Sequence, residues 1–450
     1  MAVVPFLVGT LVAATANPLS LGPNGTQREL FIDGHMIEKM TGDVRQQLQL
    51  PEPKEVVLTT DAPWEGNTCA YYTIFRDGDL FRMYYRGSHW DTATKKATHR
   101  EVTCYAESRD GVNWVKPNLG LFEFNGSKDN NIVLDGLGTH CFVAFKDENP
   151  NARPEARYRG VSRGWPLGKT GLYIYESPDG IRWKMTQSKP VITQGEFDSQ
   201  NLAFWDARIG KYREYHRIFV NGIRAIMTAT SDDFVQWSKP ELLRYQKGIP
   251  NQHLYTNAIQ PYARAPHLYL GFPTRYLPND GQRVEPTLMV SRDGANFHRW
   301  LEPIVPESAP KDRDGNRSNY MAWGLVEIPG RQNHMSVYAT EAYYTGPDSR
   351  LRRFEYRKDG FVSIRGGEKG GTLITRKIQL GRLADRLTLN YRANAGGRVR
   401  VGICKTDGTP IPGFSLAECR ELTGDQLDQT VMWKSVSGNI VGKTNADLSR

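Results

Sequence analysis

The sequence is poor in cysteine. It holds five among 450 residues (Cys69, Cys104, Cys141, Cys404 and Cys419) and no Cys-x-x-Cys pair, so neither a disulfide framework nor a zinc knuckle is indicated. Beyond residue 22 no stretch approaches the ~18 consecutive apolar residues of a membrane helix, which excludes an integral helical membrane protein. Like charges never run five together. The net charge of +9 is spread along the chain, and the densest basic segment, Arg350–Lys358, alternates as a strand would. A nucleic-acid partner is therefore not expected. There is no Gly-x-Ser-x-Gly elbow, His-Glu-x-x-His helix, Walker loop or dinucleotide fingerprint, and the nine histidines lack metal-ligand spacing. No cofactor and no metal are expected.

What is present is aromatic and repetitive. The chain carries 10 Trp, 21 Tyr and 17 Phe, rings that fill β cores and also stack on sugar faces. A short motif recurs as Ser108-Arg-Asp110-Gly111-Val-Asn-Trp114, Ser177-Pro-Asp179-Gly180-Ile-Arg-Trp183, Ser231-Asp-Asp233-Phe234-Val-Gln-Trp237 and Ser291-Arg-Asp293-Gly294-Ala-Asn-Phe297. A degenerate fifth copy is Asp359-Gly360-Phe-Val-Ser363. The Asp positions lie 69, 54, 60 and 66 residues apart. Asp-Gly is a turn signal, and the aromatic that follows it is placed to plug the gap between neighbouring units.

Each copy follows an alternating, aromatic-rich run: Leu80–Gly87, Arg157–Arg163, Lys211–Arg217, His267–Pro273 and His334–Ala339. A further strand-like run precedes each, for example Tyr71–Arg76, Cys141–Lys146 and Leu202–Asp206. Strand, turn, strand and closing hairpin, repeated, is the pattern of a four-stranded blade. The reading is all-β: a five-bladed β-propeller over residues 28–365, followed by a small β-sandwich over 366–450. Gly366–Gly371 reads as a linker between them.

Residues 1–27 read as a signal peptide or N-terminal tail. The first 22 are uncharged, with an apolar run Val3–Val12 and a small-residue site Ala14-Thr15-Ala16, but no positive n-region. The expectation is a secreted or periplasmic protein.

Acid–base work in a propeller needs carboxylates converging at the starts of the inner strands. Gly195-Glu-Phe-Asp198-Ser-Gln200-Asn201 puts Asp198 at such a start, beside two amides able to grip hydroxyls. Pro63-Trp64-Glu65 places Glu65 comparably, with Trp64 as a stacking platform. Glu341 lies among aromatics, where burial raises a carboxyl pKa as a general acid requires. Asp33 opens the ordered region. Tyr255, Asn257, Arg264 and Arg275 are candidate substrate donors in the fourth unit. Glu285 reads as a strand residue, and His140 as a core histidine at the head of an inner strand.

At these residues the chain resembles the five-bladed propeller glycosidases of glycoside hydrolase families 32, 43, 62 and 68. The segments Leu30–Asp33, Gly126–Asn131, Arg264–His267 and Asp359–Ser363 are similar to a family 32-like group of uncharacterised exported bacterial proteins. Asp198 matches the Asp of that family's second motif in local context; its Asn-Asp-Pro-Asn and Glu-Cys motifs are absent as such. The resemblance implies an oligo- or polysaccharide substrate and a furanosidic bond. Asp198 would stabilise an oxocarbenium-like transition state, Glu65 or Asp33 would act as base or nucleophile, and Glu341 as acid. A non-catalytic carbohydrate-binding propeller is the alternative; a sialidase-like enzyme, suggested by Ser-x-Asp-Gly-x-x-Trp, is the third.

Overall fold

A computed structural model describes residues 18–21, 27–164, 168–306, 319–379, 386–434 and 440–441; the leader expected over residues 1–27 lies almost wholly outside them. Among the described residues the helical element is one 3-10 turn, Pro154–Ala156, and the rest is strand and turn. The chain divides into two compact units, one of residues 46–363 and one that joins the residues up to 45 to those from 364 on.

The larger unit is a series of antiparallel meanders. The first sheet runs Ala70–Asp77, Leu80–Gly87, Val102–Ser108, Ile132–Asp135. The second runs Val143–Lys146, Tyr158–Arg163, Leu172–Ser177, Lys184–Met185, and the third Leu202–Asp206, Lys211–Val220, Ile223–Ser231, Glu241–Leu242. The fourth runs Gln260–Tyr262, Ala265–Gly271, Met289–Ser291, Asn296–Arg299, and ends on Arg244–Tyr245. The fifth pairs His334–Glu341 with Arg350–Arg357, and its outer strand, Glu52–Thr59, comes from the start of the unit. Residues 321–326 join its inner edge through the bridges Met321↔Ala339 and Val326↔Ser336. His253–Thr256, which carries the candidate Tyr255, forms a separate sheet with Thr274–Leu277 and Arg283–Pro286.

Each Ser-x-Asp motif forms the same turn. Ser108 Oγ accepts from the Gly111 amide at 2.9 Å, and Asp110 Oδ1 accepts from the Val112 and Asn113 amides at 2.9 and 2.7 Å. The pattern repeats at Asp179, Asp233 and Asp293. A neighbouring sheet latches onto three of these turns. The carbonyls of Gly111, Gly180 and Gly294 accept from the hydroxyls of Tyr338, Tyr84 and Tyr215 at 2.7, 2.7 and 2.8 Å. The fifth copy works differently: Asp359 accepts from Tyr262 at 2.5 Å and from Arg264 at 2.9 Å.

A second device recurs between sheets. Asp77, Asp147 and Asp206 each bind an arginine of their own sheet (Arg82, Arg159, Arg213) and a tyrosine of the next (Tyr158, Tyr212, Tyr269). Through these contacts each of the first three sheets is packed on the following one. The fifth is packed on the first, where Leu58, Tyr338 and Leu351 share a buried cluster with Tyr72, Phe81 and Met83.

In the smaller unit the glycine run 366–371 is not a linker. It lies inside a 14-residue strand, Val362–Thr375, paired with Ile37–Leu48. A Cβ on Gly371 would stand 2.4 Å from the Thr41 carbonyl oxygen, so glycine is required by close approach of two backbones rather than by flexibility. Residues 28–45, expected in the first domain, therefore share a unit with the C-terminal segment. There Thr388–Arg392 pairs with Asp425–Thr430, and Phe414, Cys419, Leu422, Val431 and Trp433 form a small core.

Candidate functional site

The inner strands of the first two sheets begin under strain. Tyr71 and Cys141 hold φ of 59° and 65°, and Ala342 and Tyr344, at the far end of the fifth sheet's strand, hold 58° and 62°. Left-handed backbone at bulky residues costs on the order of 1–3 kcal/mol each and concentrates where a site must be held in shape. Tyr71, Cys141 and Tyr343 pack as one cluster, with Tyr320 against it.

Around this cluster lies a chain of alternating charge. Asp198, its side chain 50% exposed, accepts from His140 Nε2 at 2.7 Å and contacts Arg163 at 3.1 Å. His140 Nδ1 lies 2.7 Å from Glu101, and the Arg86 guanidinium 3.7 Å from the same carboxylate. Arg86 also donates to the Tyr343 hydroxyl at 2.9 Å and the Thr68 carbonyl at 2.7 Å, and it covers the Tyr71 ring at 5.0 Å.

The charges set each other's protonation. The His140 hydrogen bond, reinforced by Arg163 and Arg217 against the effect of burial, holds Asp198 well below the usual carboxylate range. Burial alone would lower His140; Cys141, Asp198 and Glu101 outweigh it and raise the imidazole well above its ordinary value. Burial likewise opposes the charge on Glu101, but His140 and Arg86 win and its pKa is lowered. The trio is carboxylate, imidazolium, carboxylate. His140, Cys141 and Asp198 also bring one ligand atom each within 4.8 Å of one another. Two of those three atoms, on His140 and Asp198, are hydrogen-bonded to each other, and the Arg86 and Arg163 guanidiniums lie beside them.

Tyrosines line the same region. Tyr320 sits between Tyr255 and Tyr343, with ring centroids 5.4 Å from each. Ser199 Oγ donates to the Tyr255 carbonyl at 2.5 Å, which ties that strand to the Asp198 segment. Of the candidate residues, Asp198 and Tyr255 thus come together.

The other candidates of the larger unit do not join them. Glu65, 2% exposed, is bound by Lys116 at 2.6 Å and the Tyr85 hydroxyl at 2.5 Å, a buried ion pair beneath the first sheet. Glu341, 3% exposed, is gripped by both arms of Arg352. Both carboxylate oxygens are thereby taken up by one guanidinium inside the sheet, and neither is turned toward Asp198 and the tyrosines. Asp33 belongs to the smaller unit and accepts from the His35 amide at 3.0 Å. Gln200, Asn201 and Asn257 are buried under the site. Gln200 donates to the Tyr72 carbonyl at 2.9 Å, joining two inner strands, and Asn201 donates to the Phe197 and Ser199 carbonyls of its own segment at 3.0 Å. Asn257 Nδ2 approaches the Gln200 carbonyl at 3.5 Å. Arg264 clamps Asp359, Arg275 pairs with Glu285, and Trp64 donates to Asn131 at 2.7 Å.

No family model matches the chain. Two uncharacterised proteins of Mycobacterium tuberculosis, from strains H37Rv and CDC 1551, are each 31% identical over 121 residues, 26% of this chain and only a third (33%) of their own length. Among solved structures, a beta-1,2-mannobiose phosphorylase from Listeria innocua is 11% identical over 70% of this chain and 97% of its own, with a TM-score of 0.48. An endo-arabinase from Bacteroides thetaiotaomicron is 11% identical over 68% and 99%, at 0.43. A glycosyl hydrolase from Bacteroides ovatus is 14% identical over 75% and 99%, at 0.42. At these scores the reading of this chain rests on its own sheets and side chains.

Proposed function

We propose that this protein is a glycoside hydrolase built on a five-bladed β-propeller, acting on an oligo- or polysaccharide at the mouth framed by Asp198, His140 and the tyrosines Tyr71, Tyr255, Tyr320 and Tyr343. The observation that carries the reading is Asp198: a half-exposed carboxylate kept ionised by an imidazolium, among aromatic rings suited to sugar faces. A charged carboxylate stabilises an oxocarbenium-like transition state or attacks it, and the adjacent His140 imidazolium carries a proton that a leaving oxygen could take. The furanosidic preference comes from the resemblance to families 32, 43, 62 and 68. Export to the periplasm or medium is supported by the uncharged apolar start of the sequence, and a small β-sandwich in the second unit by its separate core.

A non-catalytic carbohydrate-binding propeller is the second reading, favoured by the neutralisation of Glu65 and Glu341 in ion pairs. One comparison separates the two. Asp198→Asn, Glu341→Gln and the unaltered protein are assayed for both turnover and binding on a panel of furanosidic and pyranosidic oligosaccharides. The hydrolase reading expects turnover that Asp198→Asn abolishes and Glu341→Gln leaves within a few-fold. Binding without turnover by the unaltered protein would replace it with the second reading.

A further inference from the structure

The third sheet carries a pair of guanidiniums that form no ion pair with any carboxylate among the described residues. Lys211–Val220 and Ile223–Ser231 are paired so that Arg217 faces Ile226 and Arg224 faces Phe219. That register makes Arg217 and Arg224 diagonal neighbours on one face. Both stand 5.0 Å from the centre of the Tyr255 ring, and both also cover Phe219.

Arg217 is only 5% exposed, yet its buried Nε and Nη1 have no hydrogen-bond partner; the buried Nε of Arg224 has none either. Among the described residues neither arginine forms an ion pair. The contrast with the rest of the sheet is plain, since Arg213, four residues before Arg217, is held by Asp206 at 2.9 Å. Two like charges on one ring, one of them almost wholly buried and neither in an ion pair, are costly, and cation–π contact offsets only part of that cost. Arg163 adds a third cation next to Asp198, which itself feels the Arg217 charge. His253, beside Arg224, is shifted downward by burial and by that same guanidinium, as a locally positive field requires.

We infer that Arg217 and Arg224 form an anion subsite above Tyr255 that takes a carboxylate or sulfate carried by the glycan, so that the substrate is an acidic saccharide. The inference rests on the carbohydrate reading above and deepens it. Unpartnered N–H donors on a buried guanidinium suit an oxyanion better than a neutral hydroxyl. Tyr255, with both cations on it, is the platform for the sugar that bears the charge.

The test is ligand-induced thermal stabilisation at constant ionic strength, with glucuronate, glucose, inorganic sulfate and inorganic phosphate as probes on the full chain. Glucuronate and sulfate are expected to raise the melting temperature at concentrations at least tenfold below those at which glucose acts. Arg217→Met should raise the melting temperature of the free protein, because it removes an uncompensated buried charge, and should erase the glucuronate shift. Arg224→Met, at the more accessible position, should weaken glucuronate at least tenfold and serves if Arg217→Met does not fold. Stabilisation by phosphate alone would make the site one for the free ion and overturn the glycan-borne assignment, as would a glucuronate response no stronger than that of glucose. Turnover of neutral glycans unaffected by either variant would sink this inference and leave the hydrolase reading standing. Acidic glycans that bind through Arg217 but are never cleaved would do the reverse.

Discussion

His140 donates to Asp198 through Nε2 at 2.7 Å while its Nδ1 lies 2.7 Å from Glu101, so a single ring carries two hydrogen bonds to carboxylates. Both nitrogens can donate only in the imidazolium. The half-exposed carboxylate at the mouth is therefore wired, through one ring, to a less exposed carboxylate and then to Arg86. Each member fixes the charge of the next.

Glu101 is a positioning residue on this view, touching His140 and not the substrate. Glu101→Gln should lower the His140 pKa and bring the alkaline limb of the kcat profile toward neutrality. The expected loss in kcat at pH 7 is about a hundredfold, the lower end of what a positioned proton donor contributes, with KM little changed. An unmoved pH profile with the same loss would assign Glu101 to structure alone.

Stability should follow the same charges. The folded His140 pKa lies above its ordinary value of 6.5, so its contribution is fully present below about pH 6.5 and declines as pH rises through the folded value. Asp198 and Glu101 are lowered, so theirs is present above their unfolded values near 4 and lost on acidification. The trio then stabilises most between about pH 5 and 6.5. Urea midpoints of the native protein and His140→Gln should differ most there and draw together as the pH rises above about 6.5. A difference that stays constant from pH 5.5 to 9.5 would mean that His140 is not charged in the fold.

The turn motif gives a prediction independent of function. Gly111 holds φ of 73°, and a Cβ there would meet Ile328 Cγ2 at 2.6 Å, beside the Tyr338 hydroxyl that closes the fifth sheet on the first. Gly111→Ala should cost about 1–3 kcal/mol from backbone strain plus overpacking. Asp110, its carboxyl pulled down to about 2 against burial by the amides of Asn113 and Val112, should make the acid limb of stability shallower when replaced by Asn. Equilibrium denaturation at pH 3 and pH 7 reads both effects.

The turns were legible because everything they need is local: Ser, Asp, the left-handed fourth residue and the aromatic lie within seven positions. Even the exception obeys this, since Phe234 stands where the other copies have Gly and takes φ of 70°. Asp198 was legible for the same reason, at the mouth of its strand. Glu65 and Glu341 misled because the residues that neutralise them, Lys116 and Arg352, lie 51 and 11 positions away and only the sheet register brings them in. Arg86 and Glu101 were missed because they sit at the ends of paired strands, where alternation reads as ordinary sheet. Arg217 was hidden inside Tyr-Arg-Glu-Tyr-His-Arg, which looks like one more alternating run. The glycine run 366–371 read as slack because a single sequence does not show that a second backbone lies against it.

The latches between sheets allow one more test. Asp147 accepts from Arg159 at 2.6 Å within its own sheet and from Tyr212 of the next at 2.7 Å, and all three are largely buried. Removing the cation alone strands a buried carboxylate, so Arg159→Leu should cost about 3–5 kcal/mol. Tyr212→Phe removes a single hydrogen bond and should cost about 1–2 kcal/mol. Because both partners act on one carboxylate, the costs should not add. The double variant is expected to depart from the sum by about 1 kcal/mol or more, whereas sites without a shared partner add within about 0.5 kcal/mol. Asp147→Asn supplies the control: with the buried charge gone, the later loss of Arg159 should matter far less than it does in the native protein. Strict additivity across this cycle would show that sheets two and three are held by their aromatic faces, Phe145 against Phe234, and that the carboxylate merely occupies the space between them.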